Sequence, residues 1–394
     1  TGLIPTILCS SGAVFCSIPP AHAQSGCTFS GGVCIFESSQ NPSTEPFNYT
    51  VIGTAGSGNT DGGPGWDLTI QTQVSTAVTF TDTTPFRWAI EAVTAGGAGS
   101  DDGPSAGGKG GAIQYTPANG ITTELTVSQS QPSGIPDARA VGLYSQGGDG
   151  ADNNTNNDSA GAPGGAAGDI TYQGSGTEVT RLTSTLPAGT VVGGDVVGID
   201  IHSLGGFGGR ANQDLFNSPN GGAGGSAGTV SINNLGAVSV GAPDGPMLAY
   251  GVVAGVVAQS LGGRGPDQYN SSRPPGKQDQ GGGGTSRGGA AGNVSLSTRG
   301  AIEVVGRSQT NDEGVFGIFA RSRGGNGGWA YDYSSVATLQ NGGSGGAAGD
   351  VAIDLGADVS VTQPSAGTML VARVASITPS GTGWPAPSTA RDGY

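Results

Sequence analysis

Two histidines, four cysteines and a scatter of carboxylates are the side chains of this 394-residue chain best suited to chemistry. His202 stands beside Ser203, but a Ser–His pair needs a third orienting group and an oxyanion hole, and no spacing here supplies them. The alternation Ile199-Asp-Ile-His202 instead places His202 on the outward face of a strand. Gly284-Thr-Ser-Arg-Gly288 spells G-x-S-x-G without the strand–turn–helix context of a nucleophile elbow, and a chain this rich in Gly and Ser produces it by chance. Gly103-Pro-Ser-Ala-Gly-Gly-Lys109 imitates a phosphate loop, yet Gly110 stands where Ser or Thr must reach magnesium. Zinc spacing is absent.

Calcium and glycans are the remaining possibilities. The opening of a toxin-type nonapeptide, G-G-x-G-x-D, occurs at Gly62–Asp67, Gly96–Asp101, Gly147–Asp152 and Gly262–Asp267. Asp149, Asp152 and Asp158 with neighbouring asparagines, and Asp267, are the candidates to supply the oxygens that calcium requires. That motif works by tandem repetition, so that successive turns share each ion, whereas these matches lie 34, 51 and 115 residues apart. Solvated acidic loops are the favoured reading. A polysaccharide-cleaving enzyme would need close carboxylates, or carboxylates with Arg or Lys, on one sheet face. Asp195, Asp200 and Glu303 recur in no common column, so no pair is assigned; no catalytic residue and no cofactor is read from the sequence.

Composition narrows the scaffold. Glycine supplies 78 residues and proline 23, while charged residues are only 11%. Helical bundles and coiled coils are excluded, because they need Ala, Glu, Lys and Leu rather than a glycine at every fifth position. A net charge of −14 with only two lysines, Lys109 and Lys277, excludes nucleic acid as a partner. Short Val- and Ile-rich runs exclude a wholly disordered chain.

Internal repeats set the fold. A hydroxyl followed two residues later by glycine recurs at Thr94, Ser145, Ser203, Ser260, Ser322 and, weakened, at Ser376, with spacings of 51, 58, 57, 62 and 54 residues. A second anchor carries one apolar column at Leu68, Ile113, Ile170, Val230, Val294 and Val351. Two residues on, Ile70, Tyr115, Tyr172, Ile232, Leu296 and Ile353 form another, so each pair faces one side of a strand. Two more strand-like runs separate the anchors, as at Ala237–Val240 with Met247–Ala258 and Ala301–Val305 with Gly314–Ala320. No unit can bury its apolar face alone, so units must stack.

The fold class is therefore all-β: a parallel β-helix of about six three-strand coils with long Gly-rich loops at one corner. Stacking predicts a hydroxyl ladder along Thr94, Ser145, Ser203, Ser260, Ser322 and Ser376. It also predicts a capping column along Asp67, Asp169, Thr229, Asn293 and Asp350, interrupted by Ala112. Glycines fit where corners need positive φ or where backbones approach closely.

The expected organisation has four parts. Residues 1–23 read as a signal peptide lacking its positive n-region, with Ala21-His-Ala23 before a cleavage between Ala23 and Gln24. Cleavage removes Cys9 and Cys16, and Cys27 and Cys34 are expected to close a short disulfide loop, worth about 2–3 kcal/mol. Lipid attachment at Cys27 is the rival reading. Residues 24–60 form an N-terminal cap, 61–378 the repeats, and 379–394 a linker or the start of further sequence.

Gly345-Gly-Ala-Ala-Gly-Asp-Val-Ala-Ile353 and Gly317-Ile-Phe-Ala-Arg-Ser-Arg-Gly-Gly-Asn-Gly-Gly328 resemble the repeat signature of glycine-rich passenger domains of bacterial autotransporters. The resemblance covers about residues 60–378. It implies export, presentation at the outer membrane or outside the cell, a downstream membrane β-barrel as partner, and adhesin-like contact with glycans or surfaces. Mycobacterial glycine-rich surface proteins share the Gly-Gly-x-Gly-Gly runs and rank second. The resemblance implies no catalytic residue.

Overall fold

A computed structural model describes residues 28–30, 33–38, 46–80, 88–100, 105–128, 137–152, 160–186, 190–192, 194–211, 221–266, 286–309, 314–328, 330–332, 338–340, 343–363 and 370–377. These residues form strands and no helix. Three parallel sheets wind about one apolar core. The first holds Asp67–Thr72, Ile113–Pro117, Ile170–Gln173, Val230–Leu235, Val294–Thr298 and Val351–Leu355. The second holds Thr76–Phe80, Thr122–Val127, Val179–Ser184, Ala237–Val240, Ile302–Ser308 and Val359–Thr362. The third holds Trp88–Ala95, Ala138–Gln146, Val196–Leu204, Val253–Leu261, Val315–Arg323 and Leu370–Ile377.

Both apolar columns of the first sheet stack as their spacing requires. Leu68, Ile113, Ile170, Val230, Val294 and Val351 are successive Cα partners, and so are Ile70, Tyr115, Tyr172, Ile232, Leu296 and Ile353. Through the fifth coil all of them are at most 2% exposed. Alternation explains this, since residues two apart share a face. Tyr115 and Tyr172 bring polar tips into the core; the rings lie 5.2 Å apart, and the Tyr115 hydroxyl shares a 3.1 Å hydrogen bond with Thr72.

The stack reaches upstream of residue 61. Val33–Ser38 pairs in parallel with Asp67–Thr72, and Phe47–Ile52 with Trp88–Ala95, so part of the expected cap is sheet. An antiparallel segment, Thr28–Ser30, covers the outer edge of Val33–Ser38, as an exposed edge strand demands. The run Met247–Ala258 is two strands rather than one. Met247–Ala249 pairs with Ile302–Ser308 in the second sheet, and the chain bends at Tyr250-Gly251 before Val253 enters the third. A Cβ on Gly251 would sit 2.0 Å from Asp195 Oδ1, so a larger residue there would push that carboxylate aside.

The glycine runs at the corner between the third and first sheets are not exposed loops. Each coil sends an arm outward, such as Gly147–Gly150 or Gly205–Gly208, and brings one back, such as Gly161–Gly168 or Gly222–Gly228. Along an arm every third residue donates its N–H to the equivalent arm of the next coil: Gly147 to Leu204 and Gly150 to Phe207, Gly205 to Leu261 and Gly208 to Arg264. Returning arms do the same, Gly164 to Ala223 and Ala167 to Ser226. A second series crosses between arms, Gly165 to Gly148, Gly206 to Gly165, Gly225 to Gly206 and Gly263 to Gly225, each at 2.7–2.9 Å. A three-residue period with hydrogen bonds only between segments is the geometry of polyproline II, and the packing follows collagen logic, where nothing larger than hydrogen fits. A Cβ on Gly225 would lie 1.9 Å from the Gly165 carbonyl oxygen. Close approach, not positive φ, selects glycine here; positive φ occurs instead at Gly58, Gly120, Gly176, Gly194 and Gly241, and at the non-glycine Asn234, among the described residues.

Candidate functional site on the third sheet

The hydroxyl column is in register: Thr94, Ser145, Ser203, Ser260, Ser322 and Ser376 are successive Cα partners along the third sheet. The first five side chains are fully buried. They do not bond one another. From Ser145 to Ser322 each hydroxyl donates to the glycine carbonyl that opens its own coil and accepts the amide of the corresponding glycine in the next. Ser145 donates to Gly111 and accepts from Gly168, both at 2.8 Å. Ser260 donates to Gly228 and accepts from Gly292, also at 2.8 Å. Thr94 bonds the Trp66 carbonyl and the Gly111 amide, and Ser322 bonds Gly292 and Gly349. Hydroxyl and peptide therefore alternate in one polarised column at the root of the glycine arms. Its role is structural.

The capping column behaves as expected. Asp67 Oδ1 accepts the Ala112 amide at 2.7 Å, Asp169 that of Thr229 at 2.6 Å, and Asn293 that of Asp350 at 2.9 Å. Two calcium candidates play the same part in the arms. Asp149 Oδ1 accepts from the Phe207 amide at 2.8 Å and Asp152 Oδ1 from Arg210 at 2.6 Å. Burial pushes the Asp149 carboxyl up, partly offset by the Phe207 amide. Among the described residues no three His, Cys, Asp or Glu converge on a metal position. Asp158, Asp267, Cys27, Ala23 and Gln24 lie outside the described residues, as do residues 1–23 and 379–394. The backbone of Cys34 pairs with Phe29 and Leu68.

A different set of groups meets on the outward face of the third sheet. Asp200 is 3% exposed and sits at its centre. His202 Nε2 lies 2.6 Å from Asp200 Oδ1, while the Tyr144 hydroxyl donates to Oδ2 at 2.7 Å and Arg139 Nε to the same oxygen. Arg139 also bonds Asp137 through Nη2 and lies over the Tyr144 ring, with Cζ 5.5 Å from its centroid. Asp137 in turn accepts the Asp195 amide, and Asp195 accepts that of Val252. Burial alone would raise Asp200, but His202, Arg139 and Tyr144 together hold it well below the usual carboxylate range. Two neighbours go the other way. Burial lifts Glu91 to about 7 against the pull of Arg139. Burial and the Asp137 charge lift Asp195 to about 6.

No known protein family, curated protein or solved structure matches this chain.

Register assembles the cluster. Glu91, Gly142 and Asp200 are partners on successive strands, and so are Val93, Tyr144 and His202. Gly142 leaves room for the Tyr144 ring to fold over it; a Cβ there would come within 2.8 Å of that ring. Of the three carboxylates available from sequence, Asp200 and Asp195 belong to this cluster. Glu303 does not, being exposed on the second sheet opposite Ser239 and Ser360. His202 points outward as expected, but Glu91, Arg139 and Tyr144 were missed. The signal that finds them is the column rule itself, applied to outward positions flanking the Thr94 and Ser145 repeats. Toward later coils the same face becomes apolar: Val197, Ala254, Val257 and Phe316 form a second buried cluster, with Phe319 partly buried against it. One edge of the face can thus hold and move protons, and the other offers aromatic rings 5.4 Å apart.

Proposed function

We propose that this chain is an exported, passenger-type structural and adhesin-like domain that displays its variable corner segments at the cell surface or outside the cell, with a membrane β-barrel as its carrier and glycans or surfaces as its contacts. The reading rests chiefly on one observation. From coil to coil the three sheets keep pairing the same columns, whereas the variation in coil length accumulates beyond the glycine arms. A stiff scaffold carrying variation on one edge suits weak, repeated contacts that add through proximity. The arms give those segments rigid roots, tied by hydrogen bonds in two directions.

The test is to delete residues 266–280 and 329–341, beyond the arms, in cells displaying the full chain. Attachment to glycan-coated or abiotic surfaces should fall while display and folding persist. Unchanged attachment at normal display would make these segments spacers and end the adhesin reading.

A further inference from the structure

We propose that the outer face where the third sheet runs into its outgoing glycine arms binds a linear anionic polysaccharide with an acidic group on alternate sugars, held by Arg323, Arg264 and Arg210. This is independent of the corner segments, which lie beyond the arms.

Register sets the three arginines on one diagonal. Arg323, Leu261 and Leu204 are Cα partners at the end of the third sheet. Three residues farther out, Asn326, Arg264 and Phe207 form the next row. The Gly265 amide there donates to the Asn326 carbonyl, and the Gly208 amide to the Arg264 carbonyl. Another three residues out, Arg210 stands on the arm that carries Phe207, its amide bound to Asp152 as the Phe207 amide is bound to Asp149. Each diagonal step therefore crosses one coil, about 4.8 Å, and one turn of polyproline II, about 9.3 Å. Successive arginine Cα atoms lie about 10 Å apart on that geometry. That is the length of a disaccharide unit in an extended glycan, so each arginine meets one acidic group.

Charge favours an anion locally although the chain carries −14 overall. Arg210 is exposed, and Arg264 and Arg323 are half-buried. Asp149 and Asp152 lie one coil before Arg210, where they bound the cationic strip, and each gives one oxygen to an arm amide. Arg323 leans along its arm, with Nη2 3.3 Å from the neutral Oδ1 of Asn326. A guanidinium has five N–H donors, so this contact leaves others for a ligand. Its planar fork also matches a carboxylate or sulfate bidentately. Distant negative charge is screened beyond about 8 Å at physiological salt.

Apolar ground lies between the cations. Phe207, 44% exposed, stands beside Arg264 on the neighbouring arm and one turn before Arg210. Its ring can take the C–H face of a sugar. Because the arms are hydrogen-bonded in two directions, the arginine roots are fixed before a ligand arrives, which lowers the ordering cost of binding.

The experiment uses the full chain in native gels containing hyaluronate, with a carboxylate on alternate sugars, polygalacturonate, with one on every sugar, or uncharged dextran. Hyaluronate should retard the protein at the lowest concentration, salt should weaken the effect, and dextran should have none. Arg264→Gln and Arg323→Gln should each weaken retardation by about 10-fold, and Phe207→Ala should weaken it several-fold, with circular dichroism unchanged. Arg181→Gln, the same change of charge on the exposed face of the second sheet, should leave it intact. No retardation by hyaluronate, equal retardation by dextran, or a preference for polygalacturonate would each overturn the proposal. So would release of hyaluronate by an equal mass of double-stranded DNA, or an Arg181→Gln loss as large as that of Arg264→Gln.

Discussion

Ser203 Oγ accepts the Gly228 amide at 2.8 Å while donating to the Gly168 carbonyl at 3.0 Å, so one hydroxyl fastens two coils. Ser203 is fully buried, so bulk water does not reach the two peptide groups that it joins. Ser203→Ala leaves a carbonyl and an amide unpaired, each costing about 1–3 kcal/mol. Denaturant midpoints should fall clearly for Ser203→Ala. They should barely move for Ser231→Ala, whose half-buried hydroxyl only receives a 3.2 Å bond from Ser295.

Glycine in the arms is a steric requirement, and two substitutions separate it from ordinary flexibility. Gly225→Ala drives a methyl against the Gly165 carbonyl, and the displaced arms also lose their crossing bonds to Gly206 and Gly263. A loss of about 3 kcal/mol or more is expected, at the upper end of overpacking. Gly245→Ala meets nothing closer than 3.4 Å and should stay within about 1 kcal/mol. Equal effects in thermal melts would refute the packed-arm description.

The sequence exposed the strand columns because their period is two within a strand and 51–62 between units, and because Val, Ile and Leu recur at the same positions. It could not expose the arms. A run such as Gly205-Gly-Phe-Gly-Gly209 has the composition of a flexible linker, and only neighbours outside the run, in the returning arm and in adjacent coils, reveal that its peptides are paired. The cluster around Asp200 was hidden for a related reason. Arg139 and Tyr144 come from the preceding coil and Glu91 from the one before, in different columns, so no single column spells the site.

Paired arms should resist proteolysis. The Arg264 carbonyl accepts the Gly208 amide, and the Arg287 carbonyl accepts that of Gly224, although the Arg287 side chain is exposed. A protease must pull an extended segment into its cleft, which these bonds oppose. Under limited trypsin, peptide mapping should find early cuts absent after Arg264 and Arg287. Early cleavage at either would show that the arms open readily.

Calcium should leave stability unchanged if Asp149 and Asp152 are backbone staples. Asp149→Asn keeps an oxygen to accept the Phe207 amide and should melt near the parent, whereas Asp149→Ala should melt lower. Titrating calcium or a chelator would reveal binding through a rise in melting temperature, since any ligand of the native state stabilises it. A rise abolished by Asp149→Asn would reinstate the metal reading.

The pH dependence of stability follows from the Asp200 cluster, and its sign differs between members. Asp200 is held low, so its contribution is complete above the unfolded value of about 3.9 and is lost as pH falls below it. Glu91 and Asp195 are held high, at about 7 and about 6. Their protonated forms are favoured by the native state, so stability falls as pH rises from about 4 through those values. The native state should therefore be most stable near pH 4–5 with respect to these three groups, and weaker at pH 8. Glu91 is only partly buried and Arg139 stands near it, so the alkaline loss is tempered by solvent and by that charge. Glu91→Gln removes one of the two titrations and should flatten the decline between pH 5 and 8, and Asp195→Asn should flatten its lower part. Thermal midpoints measured across this range decide the matter: a parent protein whose stability rises steadily from pH 5 to 8, and a Glu91→Gln profile parallel to it, would mean that Glu91 ionises as freely in the native state as in the unfolded chain.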